Sequence, residues 1–124
     1  MINRRKYDPN LSLFTPNLIF FPTTGGNRML ESEFQTTLIR RLRSVLPGSI
    51  VIKNDPSYIQ GFPDLLVLYK DRWAALEVKK SATAKARPNQ RHYVDLLATM
   101  SFARFVYPEN VEEVLSAIQQ AFRS

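Results

Sequence analysis

The chain has 124 residues, no cysteine and a formal net charge of +6 at pH 7. This length fits one domain, and the lack of cysteine excludes both a disulfide framework and a thiolate metal site. The lack of cysteine fits a reducing intracellular setting, in the cytoplasm or nucleoid of a host cell. No apolar run approaches the roughly 20 residues that span a membrane, and a basic amphipathic helix for binding an anionic membrane surface is lacking, so we expect no membrane partner. The positive charge favours a polyanionic partner such as nucleic acid, with an ordinary basic protein as the alternative.

Residues 1–29 are predicted to form an irregular N-terminal arm that is both basic and apolar. Its prolines interrupt regular structure, and Gly25 and Gly26 predict a flexible junction. Residues 18–21 are nevertheless all apolar, which is unlike a solvated tail. We therefore expect the arm to pack on its own domain or on a second subunit, and residues 30–124 to form one domain.

Hydrophobic periodicity predicts a helix, three strands, a helix, a strand and a last helix after the arm. Apolar residues recur every three or four positions over residues 30–46, over 88–100 and again from Val111, which is typical of amphipathic helices. Short runs rich in Ile, Val and Leu predict the strands, at residues 49–54, 63–69, 73–80 and 102–107. One mixed sheet with helices on both faces, an α/β fold, is the simplest packing of this order.

Two expectations about packing follow from the same patterns. The apolar run at residues 65–68 predicts that both faces of the second strand are buried. The inward face of the second helix is predicted to carry Tyr93, Leu96, Leu97 and Met100.

Two carboxylates and an amine are predicted to meet at one end of the sheet. Because side chains alternate along a strand, Glu77 and Lys79 project from the same face, with the small Ala75 beside them. A hairpin turn at residues 70–72 returns Asp64 to the same place. The triplet of Glu77 to Lys79 alone would fit an ordinary solvated strand face, but the nearby Asp64 favours an active site.

Oxygen ligands without cysteine suit Mg²⁺ or Mn²⁺, and the backbone carbonyl of Val78 is a plausible further ligand beside Asp64 and Glu77. Such a cation would polarise a phosphate oxygen and lower the pKa of a bound water. Lys79 would hold that water in line or offset charge on the phosphorane. The pattern therefore predicts phosphodiester hydrolysis.

Three segments, Gly61-Phe62-Pro63-Asp64, Glu77-Val78-Lys79 and Gln90, resemble the motifs of the PD-(D/E)XK nuclease superfamily. Within it, the chain is most similar to the virus-type replication-repair nuclease (VRR-NUC) group, especially its small stand-alone phage forms, over about residues 31–120. The resemblance implies a restriction-endonuclease-like αβββαβ core with a further C-terminal helix. It also implies a divalent metal ion and cleavage of DNA phosphodiester bonds, in a setting such as DNA repair.

The resemblance also implies a role for each matching residue. Asp64 and Glu77 match the metal ligands, and Lys79 matches the catalytic lysine. Gln90 matches a catalytic glutamine near the start of the following helix, although a solvated helix residue is the alternative. Glu33 matches the acidic residue of the first helix, as a catalytic and metal-binding carboxylate, but Glu31 could serve equally well.

A basic stretch follows the predicted site directly. Its phosphate-binding candidates, without any acidic residue among them, are Lys80, Lys85, Arg87 and Arg91. Arg40 adds charge on the first helix. A solvated basic face is the alternative interpretation. The loop before Gly61 carries Asn54, Asp55 and Tyr58, which could line the cleft or cap a turn.

The predicted function is a metal-dependent, structure-selective DNA endonuclease acting on branched or flapped DNA, since no separate sequence-reading module is apparent. A Holliday junction resolvase of the same superfamily is the alternative. Symmetric junction cleavage would require a homodimer, to which the arm could contribute contacts. A non-catalytic DNA-binding module on a nuclease fold is the alternative of another class, and the intact Asp64, Glu77 and Lys79 argue against it.

Overall fold

The computed structural model describes residues 30–123, which form a four-stranded sheet flanked by helices. The elements follow one another as α1 (Glu31–Val45), β1 (Ile50–Lys53), β2 (Leu65–Tyr69), β3 (Arg72–Val78), α2 (Pro88–Ala98), β4 (Phe102–Val106) and α3 (Val111–Arg123). The predicted α/β order, with a C-terminal helix, is confirmed. The N-terminal arm, residues 1–29, lies outside the described residues. Within residues 30–123 no helix has the length and apolar character to cross a membrane.

The sheet is mixed, with the strands in the order β1-β2-β3-β4. The first three strands are antiparallel neighbours, whereas β4 runs parallel to β3 and follows the crossover helix α2. The turn between β2 and β3 is tighter than predicted, because Arg72 belongs to β3 and pairs with Tyr69. Lys70 takes a φ of 57°, the left-handed conformation that a two-residue hairpin favours.

One face of the sheet, here called the core face, packs against α1 and α3. Helix α1 contributes the buried Phe34, Leu38 and Leu42. The residues of α3 that lie in this core are Val111, Val114, Leu115, Ile118 and Phe122, as their spacing predicts. Alternate residues of β3, namely Ala74, Leu76 and Val78, complete it from the sheet. This face therefore holds most of the buried apolar side chains.

The opposite face, here called the α2 face, has a much smaller core. Leu97 of α2 packs there on Ala75 and Ala103, with Phe62 and Trp73 at its border. The predicted inward stripe of α2 is partly wrong, since Leu96 is 41% exposed and Met100 is 61% exposed. Leu97 is buried as predicted, and the helix also buries Val94.

The prediction that β2 is buried on both faces is also wrong. Leu65 and Val67 are fully buried on the core face, whereas Leu66 and Leu68 are half-buried. The reason is the placement of α2, which packs on β3 and β4. The α2 face of β1 and β2 is therefore less covered, and Ile50 remains 60% exposed.

Candidate active site

Asp64 is held at the end of β2 by backbone contacts on both sides. The backbone N–H of Asn54 donates to the carbonyl of Asp64 at 2.8 Å. The Asn54 side-chain amide donates to the carbonyl of Pro63, also at 2.8 Å. On the other side, Oδ2 of Asp64 accepts the N–H of Val78 at 2.9 Å. The carboxylate is thus fixed between β1 and β3, although β2 itself begins only at Leu65.

The β2–β3 register brings Glu77 to the same end of the sheet. Leu65 pairs with Leu76. Asp64, which precedes Leu65, therefore lies beside Glu77, which follows Leu76. Glu77 lies on the α2 face with Ala75, as strand alternation predicts. Lys79 follows directly after β3, where its N–H donates to the carbonyl of Val106 at 2.8 Å.

Gln90, in the first turn of α2, forms hydrogen bonds with both Glu77 and Lys79. Its Nε2 donates to Oε2 of Glu77 at 3.0 Å, and its Oε1 accepts from Nζ of Lys79 at 2.7 Å. The same Oε1 accepts the backbone N–H of Arg87 at 2.9 Å. These two donors fix the orientation of the amide, because a flipped Gln90 would turn its NH₂ group toward both of them.

Glu77 is the one charged side chain that is buried among residues 30–123, with 2% of its surface exposed. Its Oε1 is buried and has no hydrogen-bond partner within that part of the chain. Burial and the neighbouring Asp64 carboxylate together raise the pKa of Glu77 to about 8, although Lys79 opposes the rise. The site thus holds two carboxyl groups whose proximity favours a proton on Glu77 in metal-free protein, and one buried carboxyl oxygen without a hydrogen-bond partner among the described residues.

The first helix presents Glu31, rather than Glu33, to these carboxylates. Glu31 and Glu33 are both exposed, but Oε1 of Glu33 accepts the backbone N–H of Leu30 at 3.0 Å, a bond that caps the start of α1. The pKa of Glu31 is raised by partial burial and by the charge of Asp64, while Lys79 and Lys80 lower it. The structure therefore does not bring Glu33 to the site, and the acidic residue of α1 that interacts with it is Glu31.

The carboxyl oxygens of Asp64 and Glu77 fit a hard divalent cation that takes few ligands from the protein. A buried carboxylate oxygen without a donor, next to a second carboxylate, is stabilised by a positive ion. No group of three or more His, Cys, Asp or Glu side chains within residues 30–123 is arranged to hold a metal. Mg²⁺ is commonly bound by one or two carboxylates, with water and substrate phosphate as the other ligands, so Asp64 and Glu77 suffice.

Comparison with solved structures finds three similar chains. One, named "VRR_NUC domain", has a TM-score of 0.58 and 27% identity over 69% of this chain and 94% of its own. Another, named "VRR_NUC domain protein", has a TM-score of 0.57 and 19% identity over 81% of this chain and 92% of its own. This chain has the VRR_NUC fold. The likeness supports a nuclease-type domain. No family model matches the sequence, and no curated protein matches it.

The loop before β2 is anchored on α2 in this VRR_NUC fold. Gly61 has a φ of +87°, and a Cβ added there would lie 2.4 Å from Cβ of Asn89 and 2.9 Å from the backbone carbonyl carbon of Asn89. Phe62 adds an edge-to-face contact with Tyr93, at 5.5 Å between ring centroids. The Gly61-Phe62-Pro63-Asp64 segment therefore touches the residue next to Gln90, which couples the position of Asp64 to that of α2.

The predicted phosphate-binding residues are all exposed, but they do not form one group. Lys80, Lys85 and Arg87 follow β3 and lead into α2, and Arg91 lies one turn later with its guanidinium 5.1 Å from the centre of the Phe105 ring. Arg40 is exposed on α1, nine residues beyond Glu31. The first four residues thus follow the site along the chain. Arg40, in contrast, lies more than 10 Å from Glu31 along the axis of α1, at a rise of about 1.5 Å per residue.

Asn54 is one of the residues whose role the sequence left open. Asn54 does not present its side chain as a ligand but clamps Pro63 and Asp64 through its two donors. Its position directly after an apolar strand and ten residues before Asp64 was the available signal, and it did not distinguish a clamp from a cleft residue.

Proposed function

We propose that this VRR_NUC domain is a Mg²⁺- or Mn²⁺-dependent endodeoxyribonuclease of the PD-(D/E)XK superfamily, selective for structured DNA. One observation carries the proposal. A buried glutamate and a lysine, Glu77 and Lys79, are bridged by the amide of Gln90 beside Asp64. A structural ion pair would not leave a buried carboxylate oxygen without a donor next to a second carboxylate.

Asp64 and Glu77 would hold the cation, with the carbonyl of Val78 as a further ligand. When bound, the cation supplies a polarised phosphate oxygen and a water of lowered pKa. Asp64 is pre-oriented for this task by the Val78 N–H, and Glu77 by Gln90. Glu31, whose charge interacts with Asp64, takes the place that Glu33 was expected to fill.

Lys79 has the charge that the reaction needs at the attacking side. Its ammonium is bound to Oε1 of Gln90 and retains two further donor hydrogens. In the proposed reaction it orients the attacking water and offsets negative charge that develops on the phosphate. Gln90 is a positioning residue for both charged groups. Lys80, Lys85, Arg87 and Arg91 would contact phosphates on either side of the scissile bond.

The experiment measures cleavage of labelled duplex, flap, splayed-arm and four-way junction DNA with Mg²⁺ or Mn²⁺. We expect Lys79→Ala and Asp64→Asn to lower the rate by about 10²- to 10³-fold, the usual cost of losing one preorganised charge. Lys70→Ala, at the hairpin turn far from the site, is the matched control and should keep full activity. Activity that survives in both site variants would contradict the mechanism.

Binding of DNA without cleavage under either metal would instead favour a non-catalytic DNA-binding module. Paired, symmetric incisions confined to the four-way junction would favour a Holliday junction resolvase.

We further propose that the active form is a homodimer to which residues 1–29 contribute. The proposal is supported by the apolar run at residues 18–21. Deleting residues 1–26 should lower the mass measured by light scattering. An unchanged mass would argue against a contribution of the arm to assembly.

A further inference from the structure

We propose that Tyr58 stacks on an unpaired nucleobase of the DNA, so that the loop between β1 and β2 selects DNA that carries an unpaired base beside the cleavage site. This inference rests on the proposed nuclease function and names its substrate class.

The loop that carries Tyr58 is held by its own hydrogen bonds. Oδ1 of Asp55 accepts from the backbone N–H of Ser57 at 2.9 Å and from its hydroxyl at 2.8 Å. The N–H of Tyr58 donates to the carbonyl of Asp55, and the N–H of Phe62 donates to the carbonyl of Ile59, each at 3.2 Å. The loop thus consists of two successive turns that leave the Tyr58 side chain pointing outward.

Tyr58 is the most exposed large hydrophobic residue of residues 30–123, at 84%. The neighbouring Ile59 is also 37% exposed. Most of the Tyr58 side chain is thus left uncovered by the fold, whereas other aromatic residues of this region, such as Phe62 and Tyr93, contact each other. A rigid, exposed aromatic ring is the group that binds the face of a base at a low cost in conformational entropy.

The loop lies at the same end of the sheet as the candidate active site. It begins after Lys53 and ends at Asp64, and Gly61 touches Asn89 at the start of α2. Tyr58 is three residues before Gly61, so their Cα atoms lie within about 11 Å of each other. DNA held on the basic stretch at the start of α2 would therefore come within reach of Tyr58.

Stacking explains selectivity for structure without selectivity for sequence. Every base offers an aromatic face, but in a duplex that face is covered by the neighbouring base pairs. A flap, a splayed arm or a junction leaves bases whose faces are free. Tyr58 would therefore bind such DNA more strongly than intact duplex, while the phosphate contacts of the basic stretch remain the same for both.

The first test measures binding without metal to DNA that carries 2-aminopurine at an unpaired position near a flap junction. Stacking of the 2-aminopurine on Tyr58 should quench the fluorescence of that base and should strengthen binding of the DNA. We expect Tyr58→Ala to weaken binding to flap DNA by about 5- to 150-fold, the fold-change that matches the usual cost of losing one stacked base. Binding to intact duplex should stay within about twofold.

Two variants separate stacking from other effects. Tyr58→Phe keeps the ring and should behave as the wild type, because the hydroxyl is not required. Met100→Ala removes another exposed apolar side chain, beyond the far end of α2, and should alter the binding of neither flap nor duplex DNA. Equal losses on flap and duplex with Tyr58→Ala, or no loss on either, would overturn the inference.

Cleavage rates then separate this inference from the proposed function. A wild-type protein that cuts flap DNA, with a rate that falls selectively in Tyr58→Ala, supports both. If the wild type cuts no DNA, the nuclease proposal fails, while the quenching and binding measurements still decide the role of Tyr58.

Discussion

The two faces of the sheet differ in what they bury, and the difference separates stability from chemistry. The core face is dry and apolar, with α1 and α3 closing over alternate residues of β2, β3 and β4. The α2 face has a cluster of three small or medium-sized buried apolar residues, the buried Val94 of α2 and the buried carboxyl group of Glu77. Because the core face buries far more apolar area, it can stabilise a site whose buried charge costs free energy.

Small residues on the α2 face make room for that site. Ala75 and Ala103 lie where larger side chains would fill the space between the sheet and α2. On the core face, the same strand β3 instead contributes Leu76 and Val78. One strand thus serves a packed interior on one side and a polar cluster on the other.

Truncating one leucine on each face should reveal this difference, and it is the largest effect we predict. Leu38 is fully buried on the core face and Leu97 is 8% exposed on the α2 face. Leu38→Ala should lower the free energy of unfolding by about 3–5 kcal/mol, because a closed core cannot collapse around the cavity. Leu97→Ala should cost about 2–3 kcal/mol but should also lower activity, since it loosens α2 and Gln90.

Urea titrations followed by circular dichroism measure both values, and the cleavage assay supplies the second readout. Equal stability losses with equal specific activities of the folded fractions would remove the distinction between the faces.

The second prediction concerns the contact that ties Asp64 to α2. Gly61→Ala combines a left-handed φ with a clash on Asn89, whereas Gly48→Ala has a similar φ of +89° and no atom within 4 Å. Gly48→Ala should therefore cost about 1–2 kcal/mol of stability, the strain of a left-handed residue. Gly61→Ala should cost more and should also abolish most cleavage, because the Pro63-Asp64 segment must move away from α2.

Thermal melts of the two variants give the difference that is due to the clash alone. Identical losses, with Gly61→Ala fully active, would show that Asp64 and α2 are not coupled through Gly61.

The element order and the meeting of Asp64, Glu77 and Lys79 were predictable because both follow from local patterns. Strand alternation determines that Glu77 and Lys79 share a face, and a hairpin returns Asp64 to the same end of the sheet. Gln90 was predictable from the resemblance alone, since its bridge depends on how α2 packs.

Two features depended on tertiary contacts and were not predictable. Leu96, Met100 and Leu66 are apolar, but their burial depends on how far α2 extends over the sheet, which periodicity does not indicate. Glu31 and Glu33 are separated by about 200° around a helix, so the choice between them depends on where α1 begins and which way it faces. The capping bond of Glu33 decided that choice.

The third prediction concerns the buried charge of the α2 face in metal-free protein. The pKa of Glu77 is raised from 4.5 to about 8, so the folded state holds a proton that the unfolded state has released between these pH values. The stabilising contribution of the Glu77 proton should therefore be fully present below about pH 4.5. Above that pH the free energy of unfolding should fall as the pH rises toward 8, by at most about 1.4 kcal/mol per pH unit. Denaturation in EDTA at several pH values measures this slope.

Glu77→Gln is the matched variant, because it keeps the shape and removes the titration. Its stability should be nearly independent of pH over the same range. A slope that persists in Glu77→Gln would assign the pH dependence to another group.

The smallest effect is expected on the outer side of the core face, where ion pairs connect α3 to its neighbours. Arg41 of α1 binds both carboxylate oxygens of Glu112, at 2.8 and 2.9 Å. This hydrogen bonding lowers the pKa of Glu112 below 4.5, so the pair stabilises the fold above that pH and the contribution is lost as the pH falls further. Because Glu112 is largely exposed, Glu112→Gln should cost under about 1 kcal/mol at pH 7 and nothing near pH 2.

Denaturant titrations at the two pH values, repeated in 1 M salt, measure the loss. A cost at pH 7 as large as that of Leu38→Ala would mean that α3 is held by charge rather than by the apolar core.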